Sequence, residues 1–298
     1  DAAFNRCQFN NCTFNKTNLN TTSFINSLFE NAKFIDAELA NTRFLSCNLQ
    51  KSDFKSVKMN TAIFNECDLT HSSFINIQSI DCAFTNNNVR GMDFSNSKWE
   101  KAVFYECEFE DNLFKGSTIK LCSFVHANFK NVNFKNLDLT QSQFVESQLN
   151  ECDFSNCQLS QGGFMEASLK KVKFKNANLE FANLYGTNLI GSDFTKANLN
   201  NASLQKSDLT GVIFEKASLE MAQLNEANMY LANFVEANLT YADMSHSKIL
   251  ESNFSNANLF MAKMHEVVED KTIWSGSNKA QAQGTDEKRK KAELWGVK

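Results

Sequence analysis

Large apolar side chains recur at every fifth position from Phe4 to Met264, with Ser79 as the one exception. The residue two places before each of them is nearly always small: Ala, Ser, Thr, Val or Cys. A helix repeats apolar groups at three and four, and a strand at two, so neither gives this spacing. With i−2 and i facing inward, positions i−1, i+1 and i+2 face outward, and Asn, Asp, Lys, Glu, Ser and Gln fill most of them. The pattern predicts very short extended pieces separated by turns that recur at one place, wound as a flat-sided solenoid.

A longer period lies over the short one. Every twentieth residue from Phe14 to Phe254 is Phe, and the facing column runs as Phe from Phe4 to Phe164 before changing to Leu184, Leu204, Leu224, Met244 and Met264. The other two columns are mainly Leu, as at Leu139, Leu159, Leu179 and Leu199. Four five-residue units per coil account for the alternation, with stacked rings adding offset contacts to area burial. Ser79 interrupts the column Met59, Ser79, Trp99. Either the Trp99 indole leans into the space, or Ile77 and Ile80 turn inward.

The units Ala197-Asn198-Leu199-Asn200-Asn201 and Ala237-Asn238-Leu239-Thr240-Tyr241 resemble the Ala-Asp/Asn-Leu-x-x repeat of the pentapeptide-repeat family, and the resemblance covers residues 2–266. It implies an all-β fold, a right-handed parallel quadrilateral β-helix. At one inter-strand spacing per coil, about 13 coils would form a single rod roughly 60 Å long. The expected division is a β-helix over residues 1–266, then a cap, a polar linker and a short charged helix over 267–298.

Composition fits this reading. The chain has 28 Phe, 10 Gly and no Pro, and Pro would remove a donor from a continuous ladder. The net charge of −4 announces neither a nucleic-acid binder nor a strongly acidic surface. No run approaches the length of a membrane-spanning helix. The chain starts at Asp1, already in phase, which reads as a piece of something longer.

All nine cysteines (Cys7, Cys12, Cys47, Cys67, Cys82, Cys107, Cys122, Cys152 and Cys157) stand two places before a large apolar residue. That is the place of a small buried filler, not of converging zinc ligands. Cys47 and Cys67 are 20 residues apart and are expected on adjacent turns. The odd count favours a reducing compartment, cytoplasmic or the cytosol of a host or target cell. The glycosylation sequons at Asn11, Asn20, Asn201 and Asn238 then read as chance.

At the C-terminal end the rhythm stops at Glu269. Trp274 is placed to fold over the last coil as a lid. Residues 275–285 read as a flexible link, and Asp286 to Trp295 as a helix closed by Gly296, with Lys288, Arg289, Lys290 and Lys291 on its polar side. The N-terminal end shows no comparable lid, so a preceding domain or another copy is expected over it, including a homodimer through an end of the solenoid.

No catalytic constellation appears, and no cofactor or metal is expected. His71, His126, His246 and His265 occupy outward positions, as do Glu106, Glu146 and Glu166, on a convex face without a pocket. Outward apolar residues are more informative. One column contains Tyr105, Val125, Val145, Met165 and Tyr185: a protein interface, or residues that simply favour strands. Phe181, Met221, Tyr241 and Met261 share a corner column, with Tyr230, Leu231 and Phe260 taken as near neighbours and Trp274 beyond them; docking of the tail and self-association both fit.

Two functions are compatible. The first is a non-enzymatic interaction or targeting module of a larger bacterial protein, such as a secreted effector, with a protein partner and no direct nucleic-acid binding. The alternative comes from the resemblance, since some relatives protect DNA gyrase by imitating duplex DNA. Lys55, Lys115, Lys135 and Lys175 along one face oppose it.

Overall fold

The computed structural model describes residues 2–295. Every pairing within it is parallel and steps by 20 residues, from Phe4 against Phe24 to Phe104 against Phe124. Three sheets result: seven strands from Ala3–Asn5 to Ser123–Val125, four from Lys58–Asn60 to Thr118–Lys120, and the pair Glu108–Glu110 and Asn128–Lys130. Each strand is three residues long with its central side chain turned inward.

The corners account for part of the abundance of Asn. Every fifth residue takes a positive φ, including Asn11 (59°), Asn76 (59°) and Asn176 (54°). Asn tolerates this left-handed conformation better than most residues because its short amide bonds locally. The small inward residues have a second task. Ser52, Ser97, Ser142 and Ser192 donate their hydroxyls to carbonyls 23 residues back, those of Phe29, Phe74, Ile119 and Leu169. Cys47 and Cys157 do the same to Phe24 and Phe134. At these places Ser and Cys replace Ala with the polar group satisfied, whereas the buried hydroxyls of Ser72 and Ser247 have no partner among the described residues.

The expected single rod of about 13 coils does not hold. The chain divides into two compact units, Asp1–Gln158 and Leu159–Lys298. In the first, the continuous strand ladder makes six steps, from Ala3–Asn5 to Ser123–Val125. In the second, single-residue bridges at the same register make six steps from Gly163 through Asn183, Ser203, Gln223, Asp243 and Lys263 to Gln283. Each unit thus makes about six turns of its own, and among the described residues no strand follows Lys130. Part of the reason is local. Past that point Asp153, Asp193 and Asp208 each accept the N–H of the residue two places on, at 2.9, 3.0 and 3.1 Å. This side-chain turn shortens the extended piece to one pairing residue.

Within the first unit Ser79 is compensated by packing. Trp99 is buried, with ring centroids 5.4 Å from Phe94 and 5.8 Å from both Phe84 and Phe104. Ile77 is buried as well, whereas Ile80 stays 43% exposed. Seven of the cysteines are buried fillers, but Cys7 is half-buried and Cys12 exposed. They belong to the first turn, whose Phe4 is 37% exposed, and no described turn lies beneath it.

In the second unit the last turn closes itself. Trp274 takes the next place in the Phe column, stacked on Phe254 at 4.7 Å. Glu269 and Lys279, at the neighbouring inward places of the five-residue rhythm, form an ion pair at 2.7 Å. Glu269 also accepts the Trp274 indole N–H at 3.1 Å. Residues 275–285 are not a flexible link: a short 3-10 turn, Lys279–Gln281, and the Lys263–Gln283 bridge continue the coil. Helix α1 (Glu287–Trp295) follows, with the Asp286 carboxylate accepting the N–H groups of Lys288 and Arg289. Gly296, expected to close it, lies outside the described residues.

Candidate interaction surfaces

The first apolar column falls partly in each unit. In the first, Tyr105, Val125 and Val145 are half-buried; Tyr105 pairs in register with Val125 and packs edge-on to His126 at 5.6 Å. Its phenol is held above the usual tyrosine range by the adjacent Glu106 carboxylate. In the second, Met165 is 38% exposed, and Tyr185 lies under the Lys206 ammonium, 5.7 Å from the ring centroid.

The second set separates. Met221, Tyr241 and Met261 are one turn apart on a single corner, 50%, 44% and 36% exposed. Phe181 heads the same column, and Phe260 meets Tyr241 edge-on at 5.8 Å. Tyr230 and Leu231 are not neighbours of this corner. Ten residues are half a turn, and the Tyr230 carbonyl accepts from Gly211 while the Leu231 N–H donates to Leu250. Trp274 belongs to neither group, because it is spent on the end stack.

All the corner residues have left-handed backbone: φ is 57° at Phe181, 56° at Met221, 58° at Tyr241 and 58° at Met261. For a bulky side chain this costs about 1–2 kcal/mol per residue, which Gly or Asn largely avoids. Gly186, Gly191 and Gly211 occupy such positions in the same unit. The apolar corner is thus strained and solvent-exposed at once.

The tail docks elsewhere, through polar groups. Glu293 of α1 lies 3.4 Å from His246 and 3.2 Å from His265; Arg289 donates to Glu293 at 2.7 Å, and Lys290 pairs with Glu266 at 2.9 Å. Arg289 foremost, helped by His265, holds the Glu293 carboxyl down to about 2. His265, expected outward, is buried beneath the tail. No signal in the sequence marks this contact, since it joins residues 28 apart across the five-residue rhythm.

The ligand atoms of His246, His265 and Glu293 lie within 4.8 Å of one another, close enough to surround a metal ion. The hydrogen-bond polarity opposes one. The Asp286 N–H donates to His265 Nδ1, so Nε2 carries the proton and donates to Glu293. A metal on Nε2 would instead require a proton on Nδ1 and an acceptor beside it. The Arg289 guanidinium, 3.3 Å from His246 Nε2, already supplies the positive charge. The cluster is a latch for the helix.

No reaction site emerges from the other candidates. His126 faces Glu146 at 3.6 Å on the open surface. Burial pushes the thiols of Cys107, Cys122, Cys152 and Cys157 up to about 12, which makes them inert at neutral pH. Among the described residues no helix is long and apolar enough to cross a membrane.

Comparison with solved structures gives loose likenesses. Over 75% of this chain and 89% of its own, HetL, a pentapeptide repeat protein involved in heterocyst differentiation regulation from the cyanobacterium Nostoc, is 20% identical with a TM-score of 0.29. A trypsin-treated variant of QnrB1, a plasmid-mediated fluoroquinolone resistance protein, is 18% identical over 69% of this chain and 97% of its own, with a TM-score of 0.39. Rfr23 from the cyanobacterium Cyanothece is 21% identical over 44% of this chain and 90% of its own, with a TM-score of 0.24. Likenesses this loose carry no functional argument. No curated protein matches the chain. The pentapeptide repeat region profile matches residues 1–74, 127–204 and 147–224, and the profile of eight pentapeptide repeats matches 62–98 and 227–267. The chain belongs to the pentapeptide-repeat family, a family of right-handed quadrilateral β-helices.

Proposed function

We propose that this protein is a non-enzymatic scaffold that binds another protein through the apolar corner of its second unit. The observation that carries the reading is the exposure of Met221, Tyr241 and Met261 one turn apart on a single corner, each on left-handed backbone. Strain at positions that Asn or Gly would relieve persists where the side chain has a task. Exposed apolar area of this kind is the usual mark of a contact surface. The half-buried column Tyr105, Val125, Val145 is a second contact in the first unit. The scaffold works as a module of a larger bacterial protein, such as a secreted effector, in a reducing cytosol where its nine free thiols stay reduced.

Replacing Met221 and Tyr241 by Asn tests this directly. The doubly substituted protein should melt at a higher temperature yet lose cross-linking to its partner. Lower stability together with unchanged cross-linking would refute the proposal. The gyrase reading, raised by the family resemblance, is tested in parallel by quinolone inhibition of gyrase supercoiling. Mixed charge argues against it: Lys58–Glu38, Lys130–Glu110 and Lys216–Glu236 alternate sign along the surface. Protection of supercoiling that survives the corner substitutions would transfer the function to that reading.

A further inference from the structure

In the wall of the first unit the ladder opens between two successive turns. One turn earlier, Phe94 N–H donates to Leu113 at 2.7 Å and Asn96 N–H to Lys115 at 2.9 Å. The equivalent donors one turn on, Phe114 N–H and Gly116 N–H, have no partner among the described residues, and neither do the Asn133 N–H and the carbonyls of Asn133 and Lys135. Bridges join Asp93 to Leu113 and Asn133 to Asp153, and none joins Leu113 to Asn133. The ring column widens at the same place, to 5.4 Å between Phe114 and Phe134, against 4.7 Å below and 4.6 Å above. A cleft of about 730 Å³ lies elsewhere, beside the tail latch; the one at this opening is about 570 Å³.

Asn112 stands at the edge of this opening. It stands at an inward place that Ala, Ser or Cys usually fills. Its amide nitrogen reaches the turn below and donates to Val89 O at 2.6 Å and Met92 O at 3.2 Å. The bulkier side chain bonds downward, and the turn above it is unpaired. Asn112 is 4% exposed and lines the cleft, and its buried Oδ1 has no hydrogen-bond partner among the described residues. Asn87, the other Asn buried at such a place, shows the contrast: it donates to Phe64 O at 2.8 Å, accepts from Cys67 N–H at 2.7 Å, and its ladder stays closed.

The opening therefore offers unpaired backbone donors, unpaired backbone acceptors and a buried amide oxygen. A buried polar group without a partner is costly, so a ligand that supplies the partner gains by it. A peptide backbone supplies both kinds of partner, as in strand addition to a free edge. The rim adds selectivity. Lys115 and Lys135 line the cleft with no ion pair among the described residues, and Leu113 beside them is 55% exposed. Gly116, at φ 73°, keeps the floor low, since a Cβ there would meet Asn96 Oδ1 at 2.6 Å.

We propose that this opening is a docking site for an extended acidic segment of a partner protein, its backbone pairing with the free ladder edge and its carboxylates meeting Lys115 and Lys135. The site deepens the scaffold reading above and rests on it, but it lies in the other compact unit from the apolar corner. The two therefore fail separately.

The test uses the full chain with two labelled peptides, one alternating Asp and Val and the other alternating Lys and Val. Amide hydrogen exchange should show Phe114 and Gly116 exchanging freely, unlike Phe94 and Asn96, and becoming protected when the acidic peptide is added. That peptide should bind about tenfold more tightly than the basic one, and Lys115→Ser or Lys135→Ser should remove most of the difference. Asn112→Ala should restore the ladder, protect both amides without peptide and abolish binding, while Tyr241→Asn leaves peptide binding unchanged. The proposal is overturned if Phe114 and Gly116 are already as protected as Phe94 and Asn96, if both peptides bind equally, or if Asn112→Ala binds as the parent does.

Discussion

The ammonium of Lys279 lies 2.7 Å from the carboxylate of Glu269 and, at the same time, 4.2 Å above the ring of Trp274. Both charged residues stand where the five-residue rhythm would put an inward apolar side chain. The solenoid ends here because its last turn seals the dry interior with an ion pair on an aromatic face, a cation–π contact included. An apolar end would be a template for another copy. Converting Glu269 and Lys279 together to Leu should therefore produce end-to-end association, read as a concentration-dependent rise in sedimentation coefficient. A doubly substituted protein that sediments as the parent does would refute this account of the end.

Stacked rings set the stability of the first unit. Phe134 and Phe154 are fully buried, 4.6 Å apart and 8° from parallel. Phe134→Ala should cost about 3–5 kcal/mol in urea unfolding, from lost burial and the cavity left behind. Phe4→Ala, at a ring already 37% exposed, should cost less than half as much.

Corner strain gives a prediction of opposite sign. Leu231 has a φ of 57° and is 49% exposed. Leu231→Asn removes little buried area and places a residue suited to the left-handed region, so it should stabilise the protein by about 1 kcal/mol. An unchanged or lowered unfolding midpoint would show that Leu231 gains elsewhere what its backbone loses.

The buried thiols make the protein sensitive to alkali. Cys107, Cys122, Cys152 and Cys157 are each pushed up to about 12 from 9.0, with burial the main cause. A raised folded-state value means that their contribution is complete below pH 9, where both states hold neutral thiols. It is lost as pH rises from about 9 toward 12, because only the unfolded chain can ionise them. The unfolding midpoint should fall across that window and recover part of the loss when the four are replaced by Ser. Alkylation at neutral pH should reach Cys12 first, since it is exposed.

Much of the fold was legible because the inward positions report directly on a repeated environment. The Phe column, the Cys fillers and the stopping point at Glu269 each follow from one rule applied to single residues. The number of turns was not. Val103 and Tyr105 flank Phe104 as a strand, whereas Asp193 and Thr195 flank Phe194 as a side-chain turn, and the apolar rhythm is identical in both. The two corner groups were merged for a similar reason: Tyr230 and Tyr241 are near in sequence, yet ten residues carry the chain half-way round the coil.

By itself the sequence determined the inward and outward faces and the 20-residue register, since a shared dry interior accepts large apolar groups only at that spacing. Only the tertiary structure decided where the wall opens, how the tail is held and which apolar residues bear strain. Asn112 leaves the rhythm intact while redirecting hydrogen bonds between turns. Glu293 meets His265 through a docking angle that no local pattern encodes. Packing periodicity is a property of each residue and its repeat, whereas pairing between turns depends on which partner a polar group finds first.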